Sequence, residues 1–291
     1  MYDLVFDIGH NQFKFTEKCL EANPNCNIVA VDAIDFSKWV KIGDKGREDF
    51  NEASARLSRL KSKYGDKIQI YNNIVTDKEG HEETINIHMH ATGKSTVMDM
   101  DEHMEQSRFF SGNKYILQEY NRVNTTHTGV TMSLEHYVRG LEINFGSIKN
   151  AIARSVLPCY QQDTVSTTTL DSLISKEGTP DLIKIDVEGY EHKVIKGLTK
   201  KANKICFEFT EEMDYSLYES FLHLQSLGYE NFGICGFFEE GEGHPYLTYD
   251  SNGDTPFREP EGYFPMEYVM LDLKRILDPE RRINWGMAWV K

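Results

Sequence analysis

Apolar positions fall into short unbroken runs separated by helical stripes. Leu4-Val5-Phe6 closes on Asp7-Ile8-Gly9, and Ile28-Val29-Ala30-Val31 closes on Asp32. Apolar runs of this kind, each ended by an acid, are the pattern of strands buried on both faces. Between them there is room for one short helix, Phe13 to Glu21. Phe50, Ala53, Leu57, Leu60 and Tyr64 then recur at three- and four-residue spacing, which predicts an amphipathic helix stopped by Gly65-Asp66. Ile68-Gln69-Ile70-Tyr71 follows as a third strand. A β-α-β-α-β order of this kind predicts right-handed crossovers and a parallel sheet.

Further on, Ile85, Ile87 and Met89 alternate with Asn86, His88 and His90, the period of a strand. From Ala91 to about Gln162 the periodicity degrades, and helices are expected only near Met98–Phe109 and Ser133–Leu141. Order returns with a strand at Leu182–Asp186, a helix at Tyr190–Leu198 and a strand at Lys204–Glu208. A helix over Tyr215–Leu227 presents Leu217, Phe221, Leu224 and Leu227 as its apolar stripe. Tyr229–Cys235 and Glu267–Leu273 read as two more strands. Between them, residues 237–262 carry seven acids against one base, and three prolines, the composition of an extended surface loop. The expectation is a single domain over 1–291 with an insertion at 91–162 and an acidic loop at 237–262.

Charge narrows the function classes. Lys and Arg number 32 against 46 Asp and Glu, a net −14 that would repel a phosphate backbone, so no nucleic-acid partner is expected. No run approaches the roughly 18 apolar residues of a membrane helix, and Met1-Tyr2-Asp3 leads straight into a strand without a basic leader, so no membrane partner is expected either. The five cysteines (Cys19, Cys26, Cys159, Cys206, Cys235) are spread without a C-x-x-C pair, consistent with a reducing, cytoplasmic compartment.

In an open parallel sheet, ligands sit beyond the carboxyl ends of the strands. Asp7-Ile8-Gly9-His10-Asn11 ends the first strand and opens a helix, where Gly9 permits close approach and Asp7 and Asn11 offer polar contacts. Asp32 ends the second strand, where a carboxylate can accept both hydroxyls of a ribose. Together they point to a nucleoside-containing cofactor, without choosing between a dinucleotide and S-adenosylmethionine. The dinucleotide fingerprint requires G-x-G-x-x-G, and this loop has one glycine, with Asn11 and Lys14 at the other two positions. A cofactor without a pyrophosphate is therefore preferred.

The second block is Asp181-Leu182-Ile183-Lys184-Ile185-Asp186-Val187-Glu188-Gly189-Tyr190-Glu191, followed by Val194-Ile195-Lys196-Gly197. With the Asp7 loop, Ile74-Val75-Thr76-Asp77-Lys78-Glu79-Gly80, Thr169-Leu170-Asp171-Ser172-Leu173 and Cys206-Phe207-Glu208, it resembles the FkbM-type family of S-adenosylmethionine-dependent methyltransferases, whose signature runs "lKiDvEG-x-E" then "lkG". The resemblance covers roughly residues 3–90 and 165–235. It implies an α/β class I methyltransferase fold, Rossmann-like and doubly wound, with a seven-stranded mostly parallel sheet whose last strand alone runs antiparallel. It implies S-adenosylmethionine as cofactor, held by Asp7, Gly9, His10 and Asn11 at the methionine part, Asp32 at the ribose, Asn73 and Ile74 at the adenine edge, and Asp186 near the transferred methyl. The implied acceptor is a hydroxyl on a glycan or small natural product, bound by the insertion and the acidic loop, with His10, Asp186 and Glu188 as candidates for the base. No metal site is assigned; Asp186, Glu188 and Glu208, at adjacent strand ends, are the set that would hold a divalent ion. The family's first loop usually reads "G-A-N-x-G", whereas here Gly9-His10-Asn11-Gln12-Phe13 puts an aromatic at the second glycine. That departure motivates a second reading, a cofactor-impaired scaffold that binds a partner.

Overall fold

The computed structural model describes residues 2–36, 44–88, 97, 160–210, 214–238, 259–260, 262–270 and 283–291. The chain divides into two compact units, Met1–Val97 with Gln162–Lys291, and Met98–Gln161. The second unit lies almost wholly outside the described residues, as do the helices expected at Met98–Phe109 and Ser133–Leu141 and most of the 237–262 loop.

In the first unit the elements run β1 (Leu4–Ile8), α1 (Lys14–Ala22), β2 (Asn27–Asp32), α2 (Asp44–Tyr64), β3 (Ile68–Asn72), β4 (Ile74–Val75), β5 (Glu82–His88) and β6 (Tyr160–Thr168). Then come α3 (Leu170–Glu177), β7 (Leu182–Ile185), α4 (Glu191–Lys196), β8 (Ile205–Thr210), α5 (Asp214–Ser226), β9 (Phe232–Phe238) and β10 (Ile283–Val290). Seven strands form one sheet in the order β3-β2-β1-β7-β8-β10-β9. β1, β2, β3, β7 and β8 pair in parallel, and β10 is antiparallel to both β8 and β9. Only the last strand is reversed, so the doubly wound Rossmann-like methyltransferase fold expected from the resemblance is the fold observed.

The unbroken apolar runs have a direct consequence here. Phe6 and Ile8 of β1, Ile183 and Ile185 of β7 and Phe207 of β8 pack on one face of the sheet against Leu170 and Leu173 of α3, Val194 and Ile195 of α4, and Leu217, Phe221 and Leu224 of α5. On the other face Val5, Ile28, Ala30, Leu182 and Cys206 meet Phe15 and Leu20 of α1 and Leu60 of α2. Strands covered by helices on both sides leave no alternation to read, which is why the sequence shows runs rather than a period of two.

Three expectations are corrected. Residues 266–270 are helical, so Glu267–Leu273 is not the last strand. Pro265 starts that turn, accepting from the N–H groups of Tyr268 and Val269, and its fixed φ suits a helix start. The reversed strand is instead β10, whose Met287, Ala288, Trp289 and Val290 are buried on both faces. The strand placed at Tyr229–Cys235 begins only at Phe232, because Tyr229 is a buried anchor whose hydroxyl donates to the Ala202 carbonyl and accepts from the Ala202 N–H. Finally, β6 and a second sheet of order β4-β6-β5 were not anticipated. Val165 and Thr167 are the inward residues of β6, and a buried threonine does not register as apolar.

Candidate functional site

Strand order turns between β1 and β7, and there the first loop begins. Gly9 donates its N–H to the Val31 carbonyl (2.8 Å), while Asp186 donates to the Ile8 carbonyl (3.0 Å), so the β1 end is gripped from both sides. Gly9 has φ +71°, and a Cβ there would lie 1.8 Å from the Asp186 carbonyl oxygen. Only glycine fits. The loop then alternates into left-handed backbone at Asn11 (φ 45°) and Phe13 (φ 59°). Asparagine tolerates that region through local hydrogen bonding, but phenylalanine does so at a cost of roughly 1–2 kcal/mol. The family glycine at this position thus has a conformational reason, and Phe13 retains its conformation.

What holds Phe13 there is burial and stacking. It is 2% exposed, N-terminal to α1, and its ring lies 3.8 Å centroid to centroid from His10, nearly parallel at 16°. The His10 Nδ1 is 2.7 Å from the Asn11 carbonyl, which can only accept, so Nδ1 carries a proton. The same nitrogen is 3.8 Å from Asp32 Oδ2. Arg56 of α2 donates to the Gln12 carbonyl (2.7 Å) and to Glu17 (2.9 Å), fixing the far end of the loop.

Asp32 accepts from the N–H of Asn11 at Oδ2 and from the N–H of Ile34 at Oδ1, each at 2.8 Å. A carboxylate offers about four acceptor positions, so capacity for two hydroxyls remains. The Asp32 carbonyl in turn accepts from the Asn73 N–H (3.1 Å), and the Asn73 side chain donates to the Ser166 carbonyl (3.0 Å).

These groups surround a cleft enclosing about 650 Å³, its solvent-open mouth included. Gly9, Asn11, Asp32, Asn73, Ile74, Asp186 and Glu188 line it, all of them expected from the sequence. Ile34, Val75, Ile85, Val97 and Tyr190 add an apolar wall, to which the second sheet contributes. Two expected residues are not among its lining. His10 is stacked behind the loop, as above. Asp7 is fully buried, accepting from Thr16 Oγ1 (2.7 Å) and facing Lys184 Nζ at 3.3 Å.

Lys184 is the residue that sequence reasoning passed over, although it stands inside the signature block. It pairs in register with Asp7 on β1 and Cys206 on β8, which puts its ammonium beside the buried Asp7 carboxylate on a largely apolar face. Its Nζ donates to the Gly9 carbonyl (2.6 Å) and lies 3.5 Å from Asp186 Oδ2. Burial opposes the charged form, but Asp186 and Asp7 outweigh it and raise the ammonium above the ordinary lysine range. A lysine amid an apolar strand was the available signal, since such a charge is retained only when paired.

Beyond β7 and β8 the balance is opposite. Asp186, Glu188 and Glu208 bring carboxylate oxygens within 4.8 Å of one another, a set able to hold a divalent cation. Burial raises Glu208 well above the carboxylate range, reinforced by Asp186, Glu188 and Glu191 and by a hydrogen bond with Asp186. Burial likewise pushes Glu191 up to about 7. Tyr190 donates to Glu83 (2.9 Å) and is pushed up to about 12, chiefly by burial, so it remains a neutral donor. Among the described residues, no helix is long and apolar enough to cross a membrane.

No curated protein matches the chain. The crystal structure of methyltransferase FkbM from Methylobacillus flagellatus KT aligns over 80% of this chain and 39% of its own length, at 11% identity and a TM-score of 0.40. The chain thus spans well under half the length of that protein. The family model of the methyltransferase FkbM domain matches residues 20–231, from within α1 to the threshold of β9, a span that includes the Asp181–Glu191 block and begins after the Asp7–Asn11 loop. The chain belongs to the FkbM methyltransferase family.

Proposed function

We propose that this chain is an S-adenosylmethionine-dependent methyltransferase acting on a hydroxyl oxygen of a glycan or small natural product. The observation that carries the reading is one cleft whose polar end, Gly9 with Asp32, and apolar wall suit a nucleoside without phosphates, and whose other end is Asp186 and Glu188. When bound, S-adenosylmethionine supplies an electrophilic methyl group on a cationic sulfonium. Asp32 would accept the ribose hydroxyls, with its backbone partners holding the carboxylate still. Ile74, Ile85 and Val97 would cover the base, and Asn73 would meet its polar edge. Gly9 and Asn11 would sit against the amino-acid portion.

The acceptor hydroxyl is a weak nucleophile and must lose a proton during or after attack. Asp186 and Glu188, both lining the cleft, are positioned to take it, while burial and the neighbouring carboxylates favour the protonated form of Glu208 beside Asp186. His10, committed to the Asn11 carbonyl and stacked on Phe13, orders the loop instead of serving as base. Asp7 supports the same loop through Lys184. The protein's contribution is mainly to position two reactants, which can supply several kcal/mol of the barrier lowering.

The test is incubation with methyl-labelled S-adenosylmethionine and a panel of oligosaccharides and small polyhydroxylated metabolites. The expected product is an ether, stable to mild base. Label found only on amines or as base-labile esters contradicts the hydroxyl assignment.

A further inference from the structure

The segment 186–189 bears both proposed proton acceptors, yet it belongs to neither strand nor helix. Glu188 and Gly189 are both in left-handed backbone, with φ of 54° and 95°. Such a turn persists only where surrounding groups over-determine it. The Tyr190 position that precedes α4 provides no side-chain cap. The holding group comes from the next residue: Glu191 turns back, and its Oε1 accepts from the N–H of Val187 (2.9 Å) and from the N–H of Gly189 (3.3 Å). Glu191 is 4% exposed, does not line the cofactor cleft, and is the one carboxyl of this region bonded to the backbone of the Asp186–Glu188 turn among the bonds described.

We infer that Glu191 is a positioning residue, whose single carboxylate oxygen clamps the turn so that Asp186 and Glu188 face the cleft. It acts through those two residues and touches neither reactant. The inference rests on the methyltransferase reading for its functional consequence, but the clamp itself is a statement about backbone N–H groups.

Two variants isolate the acceptor oxygen. Glu191→Met keeps a similar volume in a buried site but accepts no hydrogen bond of comparable strength, whereas Glu191→Gln retains a carbonyl oxygen in place of Oε1. Calorimetric titration with S-adenosylmethionine and hydrogen exchange across residues 186–190 are measured for both. The expected result for Glu191→Met is cofactor affinity weakened about 10- to 100-fold, the effect of losing a second layer of support around a bound group. Val187 and Gly189 amides would exchange faster while those of β1 and β2 stay protected. Glu191→Gln should recover most of both. Unchanged affinity and exchange in Glu191→Met, or failure of Glu191→Gln to recover them, overturns the inference. If the wild type binds no cofactor, the functional reading fails separately, and exchange at Val187 and Gly189 still decides the clamp.

Discussion

The ends of β1 and β2 and the ends of β7 and β8 are built on opposite electrostatic plans. At the first, carboxylates are answered: Asp7 by Lys184 and Thr16, Asp32 by two backbone N–H groups. At the second, Asp186, Glu188, Glu191 and Glu208 crowd one another, with Lys184 Nζ 3.5 Å from Asp186. Charges that are satisfied make a rigid receptor, whereas carboxyls that compete for protons make a site able to accept and release one. Because β1 and β7 are neighbours in the sheet, Gly9 and Asp32 from the first region and Asp186 and Glu188 from the second line one cleft.

Breaking the satisfied side has the largest expected effect. Lys184→Met leaves Asp7 buried without its cation, which should cost about 3–5 kcal/mol of stability in denaturant unfolding. Adding Asp7→Asn to that variant should recover a substantial part, because the two positions are coupled through one ion pair. Additive losses would show that the pair is not what stabilises the β1–β7 junction.

The crowded side predicts a pH dependence. Glu191 and Glu208 are both raised on folding, so their stabilising contribution is complete below the ordinary carboxyl range and is lost as pH climbs through about 7 for Glu191. Glu17 and Glu259, lowered by Arg59 with Arg56 and by Lys204 with Tyr263 against the opposing effect of burial, act in a separate window: their contribution is lost as pH falls below the ordinary range. Melting curves from pH 5 to 8 should therefore show a decline, and Glu208→Gln should lessen it. At pH 8 that variant should gain about 1 kcal/mol, or roughly 2–4 °C, over wild type, and at pH 5 almost nothing. A gain that does not vary with pH would rule out like-charge crowding as its cause.

Much of this contrast could be read from the sequence, for reasons that differ by residue. Asp7, Gly9, Asp32 and Asp186 stand where apolar runs end, and the topology of a parallel sheet gathers such ends together. Gly9 and Asp32 meet in the cleft as expected. Whether an acid at a strand end faces the cleft or the interior depends on a partner from another strand, and Lys184 on β7 is the partner that Asp7 meets in the interior. His10 and Phe13 had to be seen stacked before the missing glycine made sense. The strand β6, which joins β4 and β5 into the second sheet, does not show as apolar because it is built from threonine and glutamine, and a helix that follows Pro265 has the same apolar composition as a strand. Thr167 and Met287 show the two limits: a polar residue can be core, and an alternating run cannot declare which of two candidate segments completes a sheet.

If the first loop with Asp32 is a receptor for a nucleoside cofactor lacking a pyrophosphate, the chain binds S-adenosylmethionine and rejects a dinucleotide. Calorimetric titration with S-adenosylmethionine, run beside NAD and beside the Gly9→Ala variant, tests it most directly. The expected result is one-to-one binding of S-adenosylmethionine in the micromolar range, no heat from NAD, and loss of binding in Gly9→Ala, where the new Cβ has no room. No heat from S-adenosylmethionine at high micromolar concentration, or equal affinity in wild type and Gly9→Ala, would contradict it.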